Sequence, residues 1–292
     1  MLSIQAYAKV NLYLDVVSRY PNGYHQIESV MQSVSLHDLI EIAPAQSINV
    51  SCTDKALSGE NNLAFRAATL LRDQKAPGAG AAIKITKHIP VAAGLAGGSA
   101  DAAATLTGLN ILWDLNLSIG ELQSLGFELG ADVPFCLAGG TMLAEGRGEK
   151  LTRLKPMPKI PIVIITPPIH VSTASVYRAL DDLFDERGVG PLREKDAFLH
   201  ALSGGKQALL SRSLANLLEA VTLSRYRAIA KIKEVALEAG ALGAIMSGSG
   251  PSVFALCEDD AQAREVAGAE KLYGPEFFVE IVRPVDYGVQ VV

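Results

Sequence analysis

The chain has 292 residues, enough for two domains and a sizeable core. Hydrophobic residues make up 49% and charged ones 20%, which excludes a disordered polymer, and a net charge of −5 excludes a bulk polyanion binder such as a general nucleic-acid coat. Cys52, Cys136 and Cys257 form no C-x-x-C pair and are odd in number, so a disulfide scaffold is excluded and a reducing compartment expected; the five histidines lack metal-ligand spacing, so no protein-held transition metal is expected.

In chain order, loose alternation with β-branched and aromatic residues predicts a strand over 3–17, with Lys9 inside the apolar stretch and no basic leader ahead of it. That start does not read as a signal peptide. Asn62 predicts a helix cap for a helix to about Leu71, stopped by QKAPGAG, and residues 83–87 alternate as a strand. A glycine-rich stretch at 90–104 then opens an alanine-rich helix from about Ser99. Ser118 and Glu121 form an S-x-x-E capping box for a helix ending near Gly130, followed by Asp132 and an apolar strand. The proline- and lysine-rich RLKPMPKIP at 153–161 reads as a hinge, with a strand restarting at 162–166. The longest apolar run, 160–169, carries three prolines and is too short to cross a bilayer, so no membrane partner is expected and the protein is read as cytoplasmic. Residues 185–206 read as a charged surface excursion, 214–222 and 226–239 as helices, and 252–257 as a strand.

The sequence PVAAGLAGGSADAAA supplies glycines at 94, 97 and 98 ahead of a helix. Glycines let the backbone approach an anion, and the free N–H groups of a helix start point at it with the positive end of the dipole. Ser99 adds a hydroxyl that can donate to a phosphate or help hold Mg2+. No lysine follows Gly98 and no G-x-G-x-x-G occurs, so Walker and dinucleotide loops are excluded. A tight turn before a buried helix would use the same residues. Phosphoryl transfer also needs a cation and a group to deprotonate or orient the hydroxyl. Lys9 and Asp132 are the candidates, although a strand lysine also serves as a solvated face residue and an Asp before Val-Pro as a turn or cap.

Three segments in order, AYAKVNLYLDV at 6–16, PVAAGLAGGSADAAA at 90–104 and GAIMSGSGPSVFAL at 243–256, resemble the GHMP kinase superfamily. With YPNGYHQIESVMQSVSLHD and GADVPFCLAGGTMLAEGRGE, the likeness is to the branch whose alcohol substrate carries a cytidine diphosphate. It spans nearly the whole chain and is weakest over 180–212. The resemblance implies an α+β, two-domain GHMP kinase fold. Residues 1–156 would form an ATP-binding domain like ribosomal protein S5 domain 2, and 157–292 a ferredoxin-like domain. It implies that Lys9 and Asp132 are catalytic, Asp132 taking the hydroxyl proton while Lys9 keeps it ionised.

The ATP contacts implied are Pro90, Val91, Ala92, Ala93, Gly94, Leu95, Ala96, Gly97, Gly98, Ser99 and Ala100, with Asn62 and Asn110 toward the adenine. Substrate contacts implied are Asn11 near the reacting end, Tyr24, His25, Tyr177 and Thr173 around the cytosine, and Gly248, Ser249 and Gly250 near phosphates or the substrate tail. The partners expected are therefore ATP, Mg2+ and one small molecule, with no nucleic acid, in a monomer or homodimer. Two positions depart from the superfamily pattern: Ala96 stands where glycine is frequent and Ala100 where serine is, so the hydroxyl at 99 gains weight. Homoserine, mevalonate and phosphomevalonate kinases and the related decarboxylase are the neighbouring alternatives. Their substrates carry no base for Tyr24, His25 and Tyr177 to hold. A non-catalytic nucleic-acid binder of the same amino-terminal fold is opposed by the acidic charge and by the set Lys9, Ser99 and Asp132.

Overall fold

A computed structural model describes residues 1–187, 190–269, 274 and 276–292. The first domain is organised by two long antiparallel strands, β1 (Leu2–Arg19) and β2 (His25–Pro44), joined by a turn in which the Tyr20 N–H donates to the Tyr24 carbonyl at 2.7 Å. Register shifts interrupt their pairing between Tyr7 and Lys9, between Asn11 and Tyr13, and between Val16 and Ser18. Such bulges bend a strand and re-aim its side chains, which is how an otherwise core-forming strand presents Lys9 and Asn11 to a cavity. Next come β3 (Asn49–Cys52), α1 (Leu63–Lys75), β4 (Ala81–Thr86), α2 (Gly97–Leu112), α3 (Ile119–Leu129), α4 (Val133–Ala138), β5 (Thr141–Gly146) and β6 (Lys150–Arg153). Helix α2 is buried on most sides because its alanines let neighbours approach; at Gly108 a Cβ would come within 2.5 Å of the Ile4 and Ile42 methyls of β1 and β2.

The second domain runs through β7 (Ile162–Thr166), α5 (Thr173–Arg187), α6 (Lys195–Gly204), α7 (Gln207–Arg212), β8 (Ala215–Asn216), α8 (Glu219–Arg225), α9 (Arg227–Glu238), β9 (Gly243–Met246), β10 (Val253–Leu256), α10 (Asp260–Gly268), β11 (Phe278–Val282) and β12 (Val289–Val291). Its sheet has the antiparallel order β11-β7-β10-β9, the ferredoxin-like arrangement expected. Two strands from this half leave it, and both pair with the edge of β1 that β2 does not take: β12 antiparallel at Ile4 to Ala6 and β8 parallel at Tyr13 and Leu14. The first sheet thereby reaches eight strands, with a path β12-β1-β2-β4-β3 and β5, β6 and β8 joined to it.

Four expectations are corrected. VPFCLA after Asp132 is helical, not a strand, because Pro134 sits in the first turn, where no intrahelical N–H is needed. The excursion expected over 185–206 is in its described part a packed helix: Phe198, Ala201 and Leu202 are buried, and the Phe198 ring lies 5.7 Å from that of Tyr13. Helical spacing of three apolar residues outweighed the charge between them. Residues 214–222 begin as the short strand β8 because β1 has an edge to pair, and the helix starts only at Glu219. The 153–161 hinge is a pinned crossover, since Met157 and Ile160 are buried and the Met157 N–H donates to Thr141 Oγ1 at 2.9 Å. β2 also went unassigned in the sequence, although at 20 residues it is longer than β1 and pairs with β1, β4 and β5.

Candidate active site

A cavity of about 1020 Å³ opens between the two domains, and all three glycine- or lysine-bearing segments of the sequence reach it. They are sewn together by main-chain bonds: the Lys9 N–H donates to the Leu95 carbonyl at 3.1 Å, the Ser252 N–H to the Ala93 carbonyl at 3.2 Å, and the Ser247 hydroxyl to the Gly94 carbonyl at 2.9 Å. Gly94, at φ +78°, packs so closely that a Cβ would overlap the Ser247 carbonyl oxygen. The loop and the third glycine turn therefore act as one unit across the domain boundary.

Within the loop, Ala92, Gly94 and Ala96 take positive φ while Ala93 and Leu95 between them are buried as pegs. Ala96 accepts the left-handed angle of +59° without being glycine, so the departure at 96 leaves the loop geometry intact at a cost of about 1 kcal/mol. No side chain caps α2, and its first N–H groups, at Gly97, Gly98 and Ser99, face the cavity wall those residues line. Beneath them lies a charge cluster that sequence reasoning missed. Lys87 bonds Asp38 and, at 2.9 Å, Asp101, and its Nζ would sit 3.1 Å from a Cβ on Gly97. Asp38 also accepts the N–H groups of His88 and Ile89 at 2.6 and 2.9 Å. Two carboxylates face one ammonium here, and burial pushes the Asp101 carboxyl up to about 8, with Lys87 opposing and Asp38 adding to the rise. The cluster ties the start of α2 to the sheet.

At the other wall, Lys9 is 4% exposed and its ammonium donates to Asn11 Oδ1 at 2.6 Å, with Asp132 Oδ2 at 3.8 Å. The Asn11 amide in turn donates to Ser29 Oγ at 2.8 Å, and Ser29 to the Tyr13 carbonyl at 2.8 Å, which fixes the Asn11 rotamer. Asp132 stands before α4 but caps none of its N–H groups, and its side chain is 41% exposed toward the cavity. A carboxylate with free lone pairs beside a buried ammonium suits proton acceptance from a hydroxyl.

The far end is built of rings. The His25 and Tyr177 rings are 4.8 Å apart at 34°, and Tyr24 is largely exposed to the cavity. His25 Nε2 donates to Asp181 Oδ1 at 2.7 Å, and Asp181 Oδ2 lies 3.5 Å from Arg19, so the carboxylate fixes the imidazole tautomer. Burial pushes the Tyr177 phenol up, with the Asp132 charge adding to it. Thr173 Oγ1 and Ser249 Oγ share a hydrogen bond of 2.8 Å, and Asn216 donates to the Met246 and Gly248 carbonyls at 2.8 Å each, holding the third turn.

Lys9, Asn11, Tyr24, His25, Ala92, Ala93, Gly94, Ala96, Gly97, Gly98, Ser99, Asp132, Thr173, Tyr177, Gly248, Ser249 and Gly250 thus meet in one cavity. Pro90, Val91, Leu95 and Ala100 do not line it; Leu95 and Ala100 face the core. Asn110 is committed elsewhere, bonding both the N–H and the carbonyl of Leu117 as a brace between α2 and α3. Asn62 caps α1 through the Ala64 N–H at 2.8 Å and donates to the Leu57 carbonyl, while its neighbour Leu63 lines the cavity. Asp181, Asp38 and Lys87 escaped notice because each acts through a partner distant in sequence. Among the described residues no three His, Cys, Asp or Glu side chains form a metal cluster.

A split β-sheet domain with a non-Walker glycine loop, closed by a ferredoxin-like domain over a lysine and an aspartate, defines a two-domain small-molecule kinase. The GHMP kinases N terminal domain matches residues 62–140 and the GHMP kinases C terminal domain residues 198–271. The 4-diphosphocytidyl-2-C-methyl-D-erythritol kinase of Pelotomaculum thermopropionicum is 47% identical over 271 residues, 91% of this chain and 93% of that protein. The enzyme of the same name from Caldanaerobacter subterraneus subsp. tengcongensis is 44% identical over 99% of both chains. A crystal structure of 4-(cytidine 5'-diphospho)-2C-methyl-D-erythritol kinase superposes with a TM-score of 0.80 at 33% identity, covering 96% of this chain and 99% of that one. Homoserine kinase from Cytophaga hutchinsonii superposes at 0.78 with 21% identity over 100% of this chain and 97% of its own, a likeness of fold alone. The chain belongs to the GHMP kinases and, within them, to the 4-diphosphocytidyl-2-C-methyl-D-erythritol kinase family.

Proposed function

We propose that the chain transfers the γ-phosphoryl group of ATP to the 2-hydroxyl of 4-diphosphocytidyl-2-C-methyl-D-erythritol, a step of the non-mevalonate route to isoprenoid precursors, as a cytoplasmic enzyme. The observation that carries this reading is one cavity with the Lys9–Asp132 pair and the glycine loop on one side and Tyr24, His25 and Tyr177 on the other. In the proposed step Asp132 takes the hydroxyl proton, the alcohol oxygen bonds to the γ-phosphorus, and the bridging P–O bond to ADP breaks. Lys9, whose ammonium lies 3.8 Å from Asp132, offsets charge developing on the transferred group, while Asn11, locked by Ser29, orients the alcohol. The uncapped N–H groups at Gly97, Gly98 and Ser99 cradle the triphosphate. Mg2+ suits this site as an ion carried in by the triphosphate, because such ions need only one or two protein ligands; the Ser99 hydroxyl would help to hold it, and it would neutralise phosphate charge.

The fold is shared with homoserine and mevalonate kinases, so the ring-built end decides the substrate. The test is ADP release with each alcohol in turn. Turnover dependent on the cytidine-linked alcohol and Mg2+, with little on mevalonate or homoserine, is expected. Equal turnover on an alcohol lacking cytidine overturns the reading.

A further inference from the structure

Arg147 follows β5, and its guanidinium lies 3.7 Å from the centre of the Tyr24 ring and 5.0 Å from that of Phe127. Among the described residues it has no carboxylate partner and its guanidinium donates no hydrogen bond, while its Nε is buried without a partner. The nearby Glu149 does not neutralise it: that carboxylate accepts the backbone N–H of Arg147 at 2.7 Å and closes the turn instead. The other cations at the cavity differ. Lys9 faces Asp132, Arg19 faces Asp181, and Arg178 donates to the Ala174 carbonyl.

Arg147 is therefore a planar cation held by aromatic faces with its donor edge unspent, lining the same cavity as Lys9 and Tyr24. Stacking fixes the plane but satisfies no N–H, so the fork remains free for anionic oxygens, which it fits two at a time. Its position along the cavity is intermediate. On one side it touches Tyr24 of the ring-built end; on the other its neighbour Gly148 packs beside the Ala131 carbonyl, one residue from Asp132. In a nucleoside-diphosphate-linked alcohol, the diphosphate lies between the base end and the reacting hydroxyl.

We infer that Arg147 binds the diphosphate of a nucleoside-diphosphate-linked substrate and, through its stack on Tyr24, couples that contact to the aromatic platform for the base. It is a specificity-determining residue rather than a catalytic one. The inference rests on the substrate class proposed above. It also gives Tyr24, otherwise an exposed ring, a fixed orientation.

The test is the ratio of CDP to cytidine affinity, measured by calorimetry on the full chain for wild type, Arg147→Gln and Arg147→Lys. Wild type should prefer CDP by about tenfold or more, from one or two charge-assisted hydrogen bonds. Arg147→Gln should collapse that preference toward unity with cytidine affinity changed less than about threefold and KM for ATP unaltered, and Arg147→Lys should recover only part of it. An unchanged ratio in Arg147→Gln, an equal loss of both ligands, or a rise in KM for ATP instead, overturns the assignment. Should Arg147→Gln not fold, Arg147→Lys decides: a ratio reduced several-fold supports the fork and an unchanged one refutes it. Wild-type turnover is measured alongside. Turnover with an untouched ratio sinks only Arg147; no turnover on the cytidine-linked alcohol sinks the proposed function, and the ratio still decides the anion site.

Discussion

The two ends of the cavity are made of different material. The loop end consists of backbone: alternating positive φ at Ala92, Gly94 and Ala96, buried pegs between them, and free N–H groups at the start of α2. The far end consists of side chains, Tyr24, His25, Tyr177 and Arg147, several of them held by others such as Asp181. A site for phosphates needs donors that every nucleotide can use, and main-chain amides supply them whatever the residue. A site for one base needs particular shapes and edges. The first should fail when atoms are added and the second when atoms are removed.

The sharpest test falls where the ends meet. Asp132→Asn keeps the volume and removes the base, so kcat should drop by about 10²–10⁴-fold while CDP and ATP still bind, as stopped-time ADP assays and calorimetry would read. A fully active variant would break the assignment. Gly94→Ala adds one carbon against the Ser247 carbonyl at φ +78° and should lower stability by roughly 2–4 kcal/mol, seen as a lower Tm, and raise KM for ATP. Tyr177→Ala removes a stacking face and should raise KM for the cytidine-linked substrate by about tenfold or more with KM for ATP unchanged. If both KM values move together, the two ends are not separable in this way.

Smaller effects sharpen the loop end. Because the folded state holds the Asp101 proton up to about pH 8, whereas the unfolded chain releases it near 4, the folded state binds more protons in between. This group's contribution makes stability fall as pH rises from about 4 to about 8, and Asp101→Asn should flatten that part of a Tm-against-pH curve. Ala96→Gly, relieving a left-handed alanine, should change stability by no more than about 1 kcal/mol, since glycine also loses more freedom on folding. A large loss would mean that the Ala96 methyl is a packing element of the loop.

Legibility in the sequence follows the same division. The loop at 90–104, the capping box at Ser118 and Glu121, and the Asn62 cap act over a few residues, and each forms as read. Lys9 and Asp132 could be named as candidates from the needs of phosphoryl transfer but weighed only by the superfamily pattern, which alone pointed to Asn11, since a strand lysine or a turn aspartate has an equally ordinary structural reading. Asn110 shows the limit of that route: the residue type fitted a base contact, yet its amide braces Leu117 through one donated and one accepted bond, and it does not line the cavity. VPFCLA looked like a strand because six residues of apolar sequence cannot distinguish a short helix from a buried strand.

By itself the sequence determined the class of chemistry: a non-Walker anion loop ahead of a helix, and a set of aromatic and histidine residues suited to a base. The first depends on residue type and short-range spacing; the second, spread from Tyr24 to Tyr177, came only through the superfamily resemblance. Only the tertiary structure decided how the residues combine. His25 meets Asp181 from 156 positions away, Lys87 meets Asp38 across 49, and Arg147 is laid on Tyr24. Such pairs cost the chain little to form once the sheet and helices have closed around them, but they leave no periodic trace, because each partner is set by the packing of separate elements rather than by its neighbours in the chain.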